Sequence, residues 1–450
     1  MSLIRETGNA RMGWAFALAL LPSIAVLMDG LNNSFGDSIT CLAFSALLGG
    51  LLLLDPPPTR VWRRARVVMA CIGCAIGWAG FALAWPHPIR DGSVPFAPDL
   101  GWPALVGVVG YVAALLCGMV AGARRMRLGR FLDWLLLFGC AGLTFALLVR
   151  NDPDASSLLL SNYETGRFYG TLSNANAAAA YYATLAVLAL SRALRDGDAL
   201  WAHQETASRR LLAASYWLAL LFLIGGCLLT ASRSGIVLAA AAIMVLLLHD
   251  RRRRLMRSGK WMGPLIAGAM VALVAGYAGL LLERFAQLPG EIAVRMLLWK
   301  HNWYVAWQSP LFGFGLGGFP EVNDRYLGQV RQAQAIWMTN SPHNIMLRLM
   351  IDAGLPYLVL IMAAGIAILI RIVRAARARS LDEEELGLLL AAAIMLGSSL
   401  IDIALEVPAL CALMMIWIGL LWGRALVRHD DVGVSLSVVH PVHAKRLIPR

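Results

Sequence analysis

Apolar stretches of about 20 residues recur along the whole chain and alternate with shorter polar connections. A helix of about 20 apolar residues crosses the ~30 Å hydrocarbon core of a bilayer. The pattern predicts an all-α polytopic membrane protein with about twelve transmembrane helices and one long external loop that contains amphipathic helices. The expected spans are residues 12–28, 38–54, 67–85, 103–122, 131–149, 176–191, 211–230, 235–248, 263–282, 343–370, 386–402 and 409–427.

The composition agrees with this class, because only 15% of the 450 residues are charged and 59% are hydrophobic. Basic clusters follow spans two, four, six, eight and ten, and Lys and Arg mark cytoplasmic loops. Both termini are therefore expected in the cytoplasm. This bias explains the net charge of +12 without nucleic acid as a partner, and it places arginines where they contact membrane lipids.

The predicted topology divides the chain into four segments. Residues 1–282 carry spans one to nine, residues 283–342 form the long external loop, residues 343–428 carry spans ten to twelve, and residues 429–450 form a cytoplasmic tail. The loop is rich in Trp, Phe and Leu, which favours ordered structure.

Two stretches of the long loop have recognisable patterns. Residues 291–308 place apolar side chains on one stripe, which predicts an amphipathic helix that lies at the membrane interface or packs on the bundle. The members of the stripe are Ile292, Met296, Trp299, Trp303 and Trp307. The following PLFGFGLGGFP has no Gly-Lys-Ser/Thr, so it predicts a glycine-rich turn with close backbone approach and no nucleotide-binding loop.

Four cationic or titratable residues lie near the external ends of predicted spans: Arg167, Arg233, Arg295 and His343. Arg167 has an alternative role as an interfacial arginine, and Arg295 could pair with Glu291 four residues before it. Arg233 occupies a tight turn beside serines that can cap span eight. Free helix N–H groups and a guanidinium at one place predict an anion site.

His343 stands at the polar start of span ten, in the stretch TNSPHNIMLRLMIDAGLP. With Ser341 as the N-cap and Pro342 in the first turn, the helix dipole would favour a neutral imidazole that can accept a proton. A purely structural histidine is the alternative. Arg348 and Asp352 follow at i,i+4 spacing, and we expect them to form an ion pair that supports the helix bearing His343.

Four stretches together resemble the bacterial O-antigen ligase and O-antigen polymerase superfamily, and they are most like the ligase. They are RFYGTLSNANAAAAY, LLTASRSGIVL, RMLLWKHNWYVAWQSPLFGFGLGGF and SPHNIMLRLMIDAGLP. Their order and spacing carry the resemblance over roughly Gly166–Pro356, whereas the first five spans have no distinctive match. The resemblance implies a glycosyltransferase of the GT-C-like membrane class.

The resemblance also implies a reaction, in which a glycan moves from undecaprenyl diphosphate to a hydroxyl of lipid A–core. This transfer would complete lipopolysaccharide on the periplasmic face of the bacterial inner membrane. By resemblance, Arg167, Arg233 and Arg295 bind the donor diphosphate and His343 is catalytic. Asn344 and Trp299 would support it, together with Arg348 and Asp352.

Other functions remain open at this point. An O-antigen polymerase or a protein O-oligosaccharyltransferase of the same superfamily would use a similar site, and a lipid-linked glycan transporter or a membrane scaffold belongs to a different class. The interfacial position of the candidate residues favours an enzyme that works from one side over alternating access. We expect neither cofactor nor metal, because the external acidic residues are scattered apart from one Asp-x-Asp, Asp152 and Asp154, and three arginines can carry the phosphate charge.

Overall fold

The computed structural model describes residues 2–85, 87, 89–90, 98–150, 167–200, 205–254, 268, 275–276, 279, 288–328, 336–337 and 339–437. Over these residues the chain is helical, without a β-strand. The α-helices are α1 (Ser2–Leu27), α2 (Ser34–Leu54), α3 (Thr59–Ala84), α4 (Pro98–Ala123), α5 (Leu128–Arg150), α6 (Ala175–Asp196), α7 (Ala207–Leu229), α8 (Arg233–Arg254), α9 (Leu288–Ala306), α10 (Phe319–Leu327), α11 (Ile345–Ala378), α12 (Glu383–Ser399) and α13 (Pro408–Ser437).

The predicted class, an all-α polytopic membrane protein, is confirmed. Eleven of the twelve expected spans coincide with a helix, and eight described helices are long and apolar enough to cross a membrane. Expected spans one and eight correspond to the shorter apolar helices Gly13–Leu27 and Arg233–His249. The ninth expected span, 263–282, lies outside the described residues except at 268, 275, 276 and 279. The last helix continues to Ser437, into the segment expected to be a tail.

Glycines bring α4 and α13 together along their backbones. A Cβ added at any of four glycines would lie under 3.0 Å from backbone atoms of the opposite helix. These residues, Gly118, Gly122, Gly419 and Gly423, form a small-xxx-small pattern on each helix. Such patterns allow membrane helices to approach closely where lipid supplies no hydrophobic driving force. The close pair fixes α13, and with it the connection from α12.

Helix α6 lies at the centre of the bundle. Ninety-four per cent of its most apolar window is buried, and its alanine-rich first half leaves room for neighbours on every side. Asn174 caps this helix by accepting hydrogen bonds from the N–H groups of Asn176 and Ala177. The N-terminus of α6 is therefore fixed where Asn176 enters the site described below.

The glycine-rich segment packs closely against a break in α11; the sequence predicts the close backbone approach but not the break. Gly354 has φ +80° inside α11, and the helix is interrupted at Ala353 and Gly354. The N–H of Phe314 donates to Ile351 O at 2.8 Å, and the N–H of Leu355 donates to Pro310 O at 2.7 Å. A Cβ on Gly313 would lie 2.6 Å from the Ala353 nitrogen, so this approach requires glycine.

Helix α9 forms where the sequence predicts a helix in the long loop, but its apolar side chains lie on both its exposed and its buried side. Met296 and Trp303, on the predicted stripe, are 57% and 54% exposed, whereas Leu298 and Val305 on the opposite side are buried. Trp303 and Trp307 thus face away from the protein core, as expected at the membrane interface, whereas Trp299 is half-buried.

Candidate active site

Arg233 is the first residue of α8, immediately after a three-residue turn that follows α7. Ala231 in this turn has φ +52°, and Ser232 O accepts the N–H of Ile236, so the chain reverses tightly as the sequence predicts. The guanidinium of Arg233 forms an ion pair with Glu291 on α9, one helical turn before Arg295. Arg233 is 12% exposed. The pair brings a cation from the α7–α8 turn to the helix that carries Arg295.

Asp402, in the connection between α12 and α13, joins two of the predicted arginines. Its Oδ2 accepts from Arg295 Nη2 at 2.8 Å and from Asn176 Nδ2 at 2.6 Å. The same Asn176 accepts from Arg167 Nη2 at 3.0 Å, and Arg167 Nε donates to Thr230 O at 3.1 Å. Helices α9 and α6 therefore meet at one oxygen of this carboxylate, and Arg167 is connected to it through Asn176.

His343 contacts the other oxygen of this carboxylate. Its Nδ1 lies 3.4 Å from Asp402 Oδ1, and the imidazole is 27% exposed while the Asp402 side chain is fully buried. Burial alone would raise the pKa of Asp402, but the approach of His343 and the charge of Arg295 hold that pKa below its ordinary value. A carboxylate at Nδ1 favours the tautomer whose Nε2 can accept a proton.

The backbone at His343 differs from the prediction. Helix α11 begins at Ile345, and its N-cap is Asn344, whose Oδ1 accepts from the N–H groups of Met346 and Leu347 at 2.9 and 3.2 Å. The expectation that Ser341 caps the helix and Pro342 lies in its first turn is wrong. His343 has φ +50°, a left-handed conformation that ends any helix and costs roughly 1–2 kcal/mol for a residue with a Cβ.

Neighbouring groups hold His343 in this conformation. Its N–H donates to Ser341 Oγ at 3.0 Å, and its carbonyl accepts from Trp299 Nε1 at 3.3 Å. Asn344 Nδ2 donates to Leu400 O at 2.9 Å. Trp299 therefore contacts the loop of His343 directly, and Asn344, the next residue, connects that loop to Leu400. Because the residue precedes the helix, its environment depends more on these contacts and on Asp402 than on the first turn of α11.

Arg348 and Asp352 form the expected ion pair, with Arg348 Nε 2.9 Å from Asp352 Oδ2. The pair has a third member that the sequence analysis did not anticipate. Arg348 Nη1 also lies 3.3 Å from Glu406 Oε2, and Glu406 accepts a hydrogen bond from Ser341 Oγ. Burial raises the pKa of Glu406 above its ordinary value, although the nearby Arg348 opposes the shift.

Sequence reasoning missed Asp402 and Glu406. They are the charged residues of SSLIDIALEVPAL, between two apolar helices and four positions apart. A carboxylate at the end of a membrane helix is costly unless it has a partner, and this cost was the available signal. The sequence does not predict which arginine pairs with which of these carboxylates, because the partners lie more than 50 residues away in the chain.

An apolar groove of about 650 Å³ opens beside His343, between α9 and the start of α11. Its lining residues are Met296, Leu297, Trp299, Lys300, Trp303, Asn344, Met346 and Leu347. Trp299 and Asn344, which line the groove, also contact or adjoin His343, so the groove lies close to the His343 loop.

The fold defines a polytopic membrane protein in which arginines, a histidine and buried carboxylates cluster near the ends of several helices. Residues 218–362, about a third of the chain, match the model of a family described as O-antigen ligase. The match confirms the resemblance to the O-antigen ligase and polymerase superfamily, whose members are glycosyltransferase-like enzymes. Comparison with curated proteins found none that matches. The matched region contains Arg233, Arg295 and His343, whereas Arg167, Asp402 and Glu406 lie outside it.

Proposed function

We propose that the chain is a glycosyltransferase of the O-antigen ligase type, which transfers a glycan from undecaprenyl diphosphate to a hydroxyl of lipid A–core at the periplasmic face of the inner membrane. The observation that carries the proposal is the meeting of His343, Arg295 and the Arg167–Asn176 pair at the single buried carboxylate of Asp402. The site combines a proton acceptor with cations that suit a diphosphate.

In the proposed reaction, the acceptor hydroxyl oxygen forms a bond to the anomeric carbon of the donor. The bond from that carbon to the diphosphate oxygen breaks, and its electron pair leaves with the lipid diphosphate. The hydroxyl proton passes to Nε2 of His343, and the resulting imidazolium is stabilised by Asp402 at Nδ1. Positioned general bases contribute about 10²–10⁴-fold to such reactions.

The arginines bind the diphosphate as negative charge develops on it. Guanidinium groups bind phosphate oxygens in pairs and stay charged at any relevant pH. Arg233 contacts Glu291 and Arg295 contacts Asp402, and the more highly charged diphosphate would share or replace these carboxylates. The groove between α9 and the start of α11, which is lined mostly by apolar side chains, offers the isoprenoid chain a surface.

Metal independence is part of the proposal. The carboxylates of the site contact arginines: Glu291 binds Arg233, Asp402 binds Arg295, and Asp352 and Glu406 share Arg348. Preorganised donors to a developing negative charge contribute roughly 2.7–4 kcal/mol each, so several arginines can supply the stabilisation that a divalent cation would give.

The glycan profile of a strain that lacks the gene tests the proposal against its alternatives. A ligase predicts loss of all capped lipopolysaccharide, with carrier-linked polymer accumulating. Survival of lipopolysaccharide capped with a single repeat would instead indicate a polymerase. Loss of glycan from proteins alone would indicate a protein O-oligosaccharyltransferase, and purified protein that moves carrier lipid without forming a glycosidic bond would indicate a transporter.

A further inference from the structure

Two carboxylates of one short connection hold the His343 loop from different sides. Asp402 contacts the imidazole, whereas Glu406, four residues later, contacts the backbone through Ser341. The Ser341 hydroxyl donates to Glu406 and accepts the N–H of His343 at 3.0 Å. The orientation of the ring and the conformation of its backbone therefore depend on the same turn between α12 and α13.

Glu406 also contacts the helix that follows His343. Its second oxygen lies 3.3 Å from Arg348, in the first turns of α11, and Arg348 is held in turn by Asp352. The Glu406 side chain is 15% exposed and Ser341 is 7% exposed, so water competes little for these bonds. One side chain thus connects the loop before α11 to the helix itself, across the left-handed His343.

We propose that Glu406 is a positioning residue for the transfer reaction. Through Ser341 and Arg348 it fixes the His343 backbone at positive φ, which directs the imidazole towards Asp402. This inference rests on the proposed function, since it requires His343 to be the proton acceptor. A residue with a Cβ keeps a left-handed conformation only where its surroundings fix that conformation. Glu406 contacts the chain segments on both sides of the left-handed His343.

The test measures single-turnover transfer by purified full-length variants, using carrier-linked glycan and core lipid extracted from a strain lacking the gene. Ser341→Ala and Glu406→Ala should each lower kcat by about 10- to 100-fold, as expected for a misplaced catalytic group, with the donor KM unchanged. Glu406→Gln should retain more activity than Glu406→Ala, because its amide oxygen still accepts from Ser341. The control is Ser191→Ala. Ser191 is a buried serine of α6 that donates to Leu188 O in its own helix, and its replacement should keep wild-type kcat.

A double-mutant analysis separates positioning from general stabilisation. In a His343→Ala background, adding Ser341→Ala should change the residual rate by less than about twofold, because Ser341 acts through His343. The assignment of Glu406 would be overturned if Ser341→Ala lowers the rate of the His343→Ala protein by the same factor as it lowers the wild-type rate. It would also be overturned if a folded Glu406→Ala or Ser341→Ala protein has wild-type kcat. If Glu406→Ala does not accumulate, Ser341→Ala and Glu406→Gln decide the question. A fully active His343→Ala protein would instead refute the proposed function itself.

Discussion

Replacing Asp402 with Asn tests the centre of the proposed site while preserving the shape of the side chain. The change removes the negative charge that faces His343 Nδ1 at 3.4 Å. At an effective dielectric constant of about 20, a carboxylate at this distance stabilises an imidazolium by roughly 5 kcal/mol. Arg295 shares the same carboxylate, so we expect about 2–3 kcal/mol to be lost from the transition state. That loss corresponds to a decrease in kcat of about 30- to 150-fold.

The assay is single-turnover transfer with saturating carrier-linked donor, together with equilibrium binding of that donor. Donor affinity should not weaken in Asp402→Asn, because Arg295 keeps its charge and loses a competing partner. The matched control is Glu384→Gln, which alters a buried carboxylate paired with Arg192 at 2.6 Å between α6 and α12. The control should lower the melting temperature and leave kcat unchanged. Wild-type kcat in a folded Asp402→Asn protein would refute the assignment.

The same variant predicts a dependence of stability on pH. Because the pKa of Asp402 is lower in the folded protein than its ordinary value of 3.8, its ionised form stabilises the fold above that value. The stabilisation disappears as the pH falls through the folded pKa. The difference in melting temperature between wild type and Asp402→Asn should therefore persist without shrinking from about pH 8 to pH 5 and shrink below about pH 4. A difference that already shrinks near neutral pH would contradict the lowered pKa.

Arg348→Met should destabilise the protein by roughly 3–5 kcal/mol, because Asp352 and Glu406 both lose their cation. Asp352→Asn should destabilise it less, because the bond from Arg348 to Glu406 remains. Equal melting temperatures for the two variants would contradict this network. Chelation with EDTA should leave transfer largely intact, and activity that is abolished by EDTA and restored by Mg²⁺ or Mn²⁺ would refute metal independence. The predicted topology places Asp324 of α10 outside the cell membrane and Ser208 of α7 in the cytoplasm, and both are exposed. A cysteine introduced at position 324 should therefore react with an impermeant maleimide in intact spheroplasts, and one at position 208 should not. The reverse result would contradict the predicted orientation.

The helical class was predictable because membrane spans satisfy their own backbone and so depend on local sequence. The same holds for the Arg348–Asp352 pair, which requires only i,i+4 spacing on one helix. The start of α11 was misplaced because two nearby residues, Ser341 and Asn344, can both cap a helix. The left-handed φ of His343 decides between them, and that conformation depends on contacts with Glu406, by way of Ser341, and with Trp299.

The role of Asp402 could not be derived from local pattern. Its partners come from α6, α9 and the loop before α11, and sequence spacing does not determine which helix ends meet. The same reason explains why Glu291 pairs with Arg233 across 58 positions, although the sequence suggested only Arg295 as its partner. Tertiary packing at the helix ends therefore decides the arrangement of the site.

Transfer by a His343→Ala protein is the most direct measurement of the central claim, that this imidazole accepts the proton of the acceptor hydroxyl. Single-turnover rates and carrier-lipid binding would be compared for the purified wild type and variant, after their melting temperatures are shown to be equal. The proposed mechanism predicts a rate lower by about 10²–10⁴-fold with near-normal donor binding. A folded His343→Ala enzyme that transfers glycan at a near-normal rate would contradict it.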